Sequence, residues 1–273
     1  THKVNIMNLI KSIFLGIIQG LTEFLPVSSS GHLVIAKHLF GFEINNISFE
    51  IFLHLGSLLA VLIYFRKDIL ELIFSLLHIF KPSNKDISNL KFIMYLMIAT
   101  IVTGILGFSF QDTIEQLFTN PLFAAFMLII TGIIIFISDL IQNAKINIEE
   151  MHIWRAIIIG LGQALAIIPG ISRSGSTIAT SLFLGIKRKQ VARFSFLLSV
   201  PAILGATVLK FDEFTVLSSK IWINYIAGGI AAFISGWLVI AFLLRIIQKQ
   251  KLKYFSYYCW TVAIIFIVVS NII

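Results

Sequence analysis

Between Ile221 and Leu244 lie 24 residues without a single charge. A hydrocarbon core about 30 Å thick needs about 20 such residues for one helical crossing. That one segment ties the chain to a bilayer. A membrane strand would alternate apolar and polar residues about ten at a time, and Phe123–Ile137 does not alternate. The spans are therefore helices. Composition agrees: 58% of the 273 residues are hydrophobic and 12% charged, with a mean hydropathy of +0.96, whereas soluble domains are about a quarter charged. Six long spans are expected near 49–65, 91–109, 121–141, 190–209, 221–245 and 254–272. Segment 69–79 is too short to cross and is expected to lie at the interface.

Several function classes fall away. The first apolar stretch, Ile6 to Leu25, carries Lys11, Gln19 and Glu23 and has no small-residue cleavage site, so it reads as part of the fold and not as a secretory signal. The single cysteine, Cys259, permits no intrachain disulfide and reads as an apolar filler. A net charge of +8 would suit nucleic acid, but the basic residues sit in short loops between spans, which suits topology and anionic lipid. Nucleic acid is not expected as a partner; membrane lipids are.

Two stretches break the pattern of plain spans. Residues 6–41 and 152–186 are long enough to cross, yet each is interrupted by a Pro, Gly and Ser cluster: Leu25-Pro-Val-Ser-Ser-Ser-Gly-His32 and Ile168-Pro-Gly-Ile-Ser-Arg-Ser-Gly-Ser-Thr177. No helix runs unbroken through such a cluster. Irregular backbone at membrane depth survives only inside protein or beside a wet cavity. Each stretch is therefore expected to form two half-helices meeting at a polar turn, a re-entrant hairpin. The stretches also repeat one another. At an offset of 144, Gly16, Gln19, Ser28, Ser30, Gly31 and Gly41 fall on Gly160, Gln163, Ser172, Ser174, Gly175 and Gly185. The fold class expected is an all-α polytopic membrane protein. It consists of six transmembrane helices and two re-entrant hairpins in two inverted repeats, 1–141 and 142–273. Such repeats place their site near the midplane, where the halves meet. Lys and Arg number 5, 7 and 4 around the loops 66–90, 142–189 and 246–253, against 3, 0 and 2 in 1–48, 110–120 and 210–220. The bias of sixteen to five puts the first set in the cytoplasm and both termini outside it.

Ionisable groups at membrane depth are functional candidates by default. Glu23, His32 and Arg173 lie in or beside the two turns, and Gln19 shares a helix face with Glu23. The bland alternative is a set of satisfied structural groups, less economical for three residues flanking two related turns. Gly31 and Gly175 let a ligand approach the backbone. Ser28, Ser29, Ser30, Ser172 and Ser174 sit where helices begin, whether as caps or as phosphate ligands. Arg173 offers a planar fork that suits phosphate. Together these make an anion cage drawn from both halves. Glu23 would repel a bare phosphate, which a bridging divalent cation reconciles.

Gln19-Gly-Leu-Thr-Glu23-Phe-Leu-Pro-Val-Ser-Ser-Ser-Gly-His32 and Pro169-Gly-Ile-Ser-Arg173-Ser-Gly-Ser-Thr177 closely resemble the two signature segments of the bacterial undecaprenyl-diphosphate phosphatase family of the bacitracin-resistance type. The resemblance covers the chain in length and span pattern. It implies a hydrolase of the bacterial inner membrane that converts the isoprenoid lipid diphosphate to the monophosphate with a divalent cation, Mg or Ca. It also implies roles for Glu23, Ser29, His32 and Arg173, with support from Ser172 and Thr177. The family motif often opens with Glu where this chain has Gln19, so Glu23 carries the charge of the metal ligands Glu23 and Gln19. Ser29 is the candidate nucleophile, with His32 as base or donor, and activated water is the other attacking group. Ser28, Ser30, Gly31, Ser172, Ser174, Gly175 and Thr177 are expected to bind substrate, while the sequence leaves homodimerisation open.

Two rival functions remain in view. Acid-phosphatase-like lipid phosphatases need a histidine six residues after the arginine, where this chain has Ala179. A polyprenyl-phosphate transporter or flippase would share the inverted, broken-helix architecture. Glu50 and His54, four apart on one face at the start of a span, are candidates to line the cavity, with a structural or interfacial role the stronger reading. His2, His38, His78 and His152 need no special role, and Trp154, Trp222, Trp237, Trp260 and the tyrosines at 254–258 read mostly as interface anchors.

Overall fold

The computed structural model describes residues 6–41, 47–141, 144–215, 217, 219–249 and 251–272, and His2 lies outside them. Among the described residues the regular structure is helical, with one isolated bridge between Ile146 and Ile186. In chain order the helices are α1 (Ile6–Phe24), α2 (Ser29–Leu39), α3 (Ile47–Tyr64), α4 (Arg66–Leu77), α5 (Asn84–Ser109), α6 (Gln111–Leu117) and α7 (Pro121–Asp139). Then come α8 (Ile153–Leu165), α9 (Arg173–Phe183), α10 (Arg188–Leu209), α11 (Phe211–Thr215), α12 (Ser219–Gln248) and α13 (Lys253–Ser270). Helices α5, α7, α10, α12 and α13 are long and apolar enough to cross a membrane. Helix α3 makes a sixth span when taken with α4, from which it is bent by 77°. The bend lays α4 across the bundle, with Leu72 and Ser75 buried and Ile73, Phe74 and Leu77 exposed, as suits a helix at the interface.

Both interrupted stretches fold as two helices with a sharp break. Helices α2 and α9 have 11 residues each, about 16 Å at 1.5 Å per residue, half of what a crossing requires. Their starts match at the same offset of 144. Ser28 accepts from the Gly31 N–H at 3.2 Å and Ser172 from the Gly175 N–H at 3.0 Å, so one orphan donor of each half-helix is capped. The two breaks differ in backbone. In the first, Ser28 adopts φ 66°, the single positive-φ residue other than glycine among the described residues, a strain of about 1–3 kcal/mol that the surroundings must hold. In the second, Gly170 takes φ 95° and its carbonyl accepts from Thr131 at 2.8 Å.

Each hairpin is gripped by a span from the other half of the chain. Helix α1 packs along α12, and its counterpart α8 packs along α5. A Cβ on Gly16 would sit 2.2 Å from the Gly228 carbonyl oxygen, so only glycine permits that approach. Helices α7 and α13 pair, with Trp260 donating to the Ile129 carbonyl at 3.1 Å. Trp222 joins Phe52, Phe214 and Tyr225 in an aromatic cluster. These two tryptophans pack within the bundle, whereas Trp154 and Trp237 are about half exposed at 48% and 50%, as anchors would be.

Candidate active site

The two hairpin tips interlock. Ser30 accepts from the Gly170 N–H at 3.4 Å, and Ser174 donates to the Leu25 carbonyl at 3.0 Å. Each tip thus hydrogen-bonds the backbone of the other, through serines related by the same offset. Glycine at 31 keeps the contact close, since a Cβ there would lie 2.9 Å from the Gly170 Cα.

At this junction Glu23, on the last turn of α1, gathers four partners. Its Oε2 accepts from Ser29 Oγ at 2.5 Å and Gln19 Nε2 at 2.9 Å, and lies 3.3 Å from His54 Nε2. Its Oε1 accepts from Arg173 Nη2 at 2.5 Å. The carboxylate side chain is 3% exposed, and a charge so buried persists only when paired and hydrogen-bonded. The Arg173 fork is held on its other arm, where Nη1 donates to the Ser195 carbonyl at 3.2 Å. Thr177 shares a 2.5 Å hydrogen bond with the Ser195 hydroxyl and donates to the Arg173 carbonyl at 2.9 Å, fixing the first turn of α9. One ion pair therefore joins an acid from one hairpin to a base from the other.

Of the residues singled out in the sequence, the structure brings Gln19, Glu23, Ser29 and Arg173 into one cluster, with Ser30 and Ser172 beside them on the same cavity wall. Ser28 and Ser172 spend their hydroxyls on caps and on their neighbours Ser30 and Ser174, each 3.2 Å away. Gly31 and Gly175 form the tight starts of α2 and α9. His32 is placed elsewhere. Its Nδ1 bonds the Ser28 carbonyl at 2.8 Å, its Nε2 bonds Tyr258 at 3.0 Å, and its ring stacks on Tyr258 at 5.5 Å. Residues three apart on a helix ordinarily share a face, yet at this first turn Ser29 meets Glu23 while His32 meets Tyr258 of α13.

His54 occupies the place expected of His32. It lines the cavity beside Glu23 and Ser29, with Nδ1 donating to the Glu50 carbonyl at 2.7 Å. A carbonyl only accepts, so Nδ1 carries a proton, and Nε2 donates to Glu23 only in the doubly protonated ring. Glu50 in turn binds Lys37 at 2.5 Å. The sequence signal was present, since an ionisable residue in an apolar span is costly. It was outweighed by the position of His54 near the start of a span, outside both motifs.

The cavity measures about 670 Å³. From the cluster it runs between α5 and α10 to the face bearing α6 and α11, where Lys210 reaches Glu115 at 3.0 Å and Glu213 at 3.1 Å. The hydrogen bond between Lys210 and Glu115 holds the carboxyl below, and the amine above, its ordinary pKa. For a divalent cation the cluster offers the Glu23 carboxylate, the Ser29 hydroxyl and Gln19 Oε1, which is buried without a hydrogen-bond partner. Oxygen donors suit Mg or Ca. Among the described residues no three His, Cys, Asp or Glu side chains gather as metal ligands. These three oxygens fill only part of the roughly six or more positions that Mg or Ca takes, so a cation held here needs further oxygen ligands.

A polytopic helical membrane protein whose broken helices carry a buried acid, a hydroxyl and an arginine fork at their junction belongs to the class of integral membrane proteins that handle anionic lipids. The family model described as "Bacitracin resistance protein BacA" matches residues 12–265, and the chain belongs to that family. Over 266 residues it is 43% identical to the "Undecaprenyl-diphosphatase 1" of Shouchella clausii, covering 95% of each chain. It is also 43% identical to the "Undecaprenyl-diphosphatase" of Methanobrevibacter smithii, over 95% of this chain and 96% of that one, and to that of Halothermothrix orenii, over 97% and 100%.

Proposed function

We propose that this chain is an intramembrane phosphatase that removes the terminal phosphate of undecaprenyl diphosphate and yields the monophosphate. The observation that carries the reading is the 2.5 Å hydrogen bond from Ser29 to Glu23, whose other oxygen holds Arg173. A hydroxyl bonded to a carboxylate that also holds a guanidinium supports reading Ser29 as nucleophile, Glu23 as proton acceptor and Arg173 as phosphate clamp. The relatives' names supply the substrate.

In the mechanism the incoming phosphate draws the Arg173 fork away from Glu23, since guanidinium binds phosphate bidentately. Released from that pairing, Glu23 becomes a stronger proton acceptor. Ser29 Oγ attacks the terminal phosphorus and its proton passes to Glu23. The bond from phosphorus to the bridging oxygen breaks, and the lipid monophosphate departs with the electron pair. Water then attacks the phosphoserine: its oxygen bonds phosphorus as the bond to Ser29 Oγ breaks, Glu23 returns its proton to Oγ, and the water's other proton leaves with the inorganic phosphate. Arg173 and His54 are the cationic groups facing the charge that develops. A divalent cation held by Glu23 and Gln19 with the diphosphate would neutralise negative charge. His32 supports the α2 turn through Ser28 and Tyr258.

The direct test is phosphate release from undecaprenyl diphosphate by detergent-purified protein, where no second compartment exists and a transporter does nothing. Release that a chelator suppresses and added Mg or Ca restores is the expected result. Release unaffected by chelator removes the cation from the mechanism, and no release under any condition removes the enzyme.

Charge placement supports both termini outside the cytoplasm of a bacterial cell, in two inverted halves, with the cavity opening outward. The face bearing α6 and α11 is the one poor in Lys and Arg, and loop bias of this kind sets orientation. In a Cys259→Ser background, single cysteines at exposed Thr113 and Thr215 should react with an impermeant thiol reagent on intact cells. Cysteines at exposed Lys85 and Lys249 should not. The opposite labelling would turn the cavity toward the cytoplasm.

A further inference from the structure

Helices α5 and α10 meet at one end, where Phe92 and Phe194 pack edge to face at 5.4 Å. Toward the other end the cavity lies between them. Two features of the sequence open this gap. Pro201 has no N–H to give the Leu197 carbonyl, which weakens the helix there, and the part of α10 that lines the cavity begins at Pro201. Gly104 on α5 and Gly205 on α10 also line it, and a Cβ added to either would meet nothing within 4 Å. The other glycine of these two helices, Gly107, differs: a Cβ there would lie 2.9 Å from Ile167 Cδ1. A side chain at Gly104 or Gly205 would enter open space, so glycine there serves the space and not the packing.

The slot's inner end is the cluster of Glu23, Ser29 and Arg173. At its other end Gln111, Glu115 and Lys210 line the mouth, and beside them the rim carries Phe108 and Val208, 69% and 73% exposed. An apolar rim on a membrane helix faces lipid. A slot open to lipid at an apolar rim and closed by an anion-binding cluster fits an amphiphile that enters head first.

We infer that the slot between α5 and α10 receives the first isoprene units of the lipid diphosphate sideways from the bilayer, and that Gly104 and Gly205 set its width. This rests on the phosphatase reading and adds to it the path of the tail. A volume of about 670 Å³ is in the range of sites for drug-sized ligands. It holds the head group and the nearest isoprene units and leaves the rest of a long tail in lipid. The enzyme therefore reads the units near the diphosphate and is indifferent to chain length beyond the slot.

The test uses farnesyl diphosphate and detergent-purified full-length protein. Gly104→Leu and Gly205→Leu place a side chain in open space on helices that favour leucine over glycine. Each should raise KM by about tenfold or more, the scale of a misfitted methylene in a tight pocket. Each should leave kcat within about threefold, because the reacting groups are untouched. Gly104→Ala should change KM far less. Wild-type protein with farnesyl diphosphate photoreactive at its second isoprene unit should cross-link to α5 or α10, a result independent of how the variants fold. Unchanged KM in both leucine variants of an active enzyme, a fall in kcat at unchanged KM, or cross-links confined to other helices would overturn the slot alone. A wild-type protein that releases no phosphate from any prenyl diphosphate overturns the phosphatase reading and the slot with it.

Discussion

Glu23→Gln should lower phosphate release by more than about 100-fold, the scale of removing a key electrostatic group from an active site, in protein that still folds. The amide is nearly the shape of the carboxylate and its oxygen still accepts from Arg173 or Ser29. It cannot take a proton from Ser29, and it leaves Arg173, 16% exposed, and His54 without their counter-charge. Removing one partner of a buried pair costs about 3–5 kcal/mol where no partner remains. The retained hydrogen bonds and the cavity beside Arg173 reduce that cost. Glu23→Ala, which leaves the whole cluster open, should lower the unfolding temperature as well as the rate. The comparison is made by phosphate release and thermal unfolding on the same detergent samples. A Glu23→Gln enzyme with near-wild-type turnover would show that neither proton transfer nor cation binding passes through this carboxylate.

Much of this centre is legible in the sequence because it is built from exceptions. A carboxylate at 23, an arginine at 173 and serine-glycine turns at 28–31 and 172–175 are costly in a bilayer, and the offset of 144 relates one turn to the other. Such local rules also give the lengths of α2 and α9 and the bend after α3. What they do not give is azimuth. Ser29 and His32 are three apart, and sequence spacing alone paired them. Yet the tight start of α2 at Ser28, with φ 66°, turns Ser29 to Glu23 and His32 to Tyr258. His54 arrives from α3, and the Ser195 carbonyl that steadies Arg173 from α10. Both are long-range contacts that one chain without its packing does not announce. The cavity between α5 and α10 is likewise set by the absence of side chains at Gly104 and Gly205, and an isolated glycine in a span has no local signature separating packing from opening.

Ser29→Ala should remove at least about 10³-fold of the activity, since loss of a nucleophile in an enzyme of this kind leaves only binding and electrostatic stabilisation. The cost to folding should be small. The Ser29 hydroxyl donates only to Glu23, which keeps Gln19, His54 and Arg173, and alanine is a good helix former at the first position of α2. Ser30→Ala is the control: its hydroxyl meets Ser28 and the Gly170 N–H, so the loss should be partial and structural. Retention of a tenth of the wild-type rate by Ser29→Ala would replace the phosphoserine route with direct attack by water. The double variant Ser29→Ala/Glu23→Gln separates the roles further. If Glu23 acts by taking the Ser29 proton, the two residues work as a unit and the double variant falls no lower than Ser29→Ala alone. If Glu23 serves only to bind cation and phosphate, the two losses multiply, and the residual rate drops by the additional factor that Glu23→Gln shows on its own.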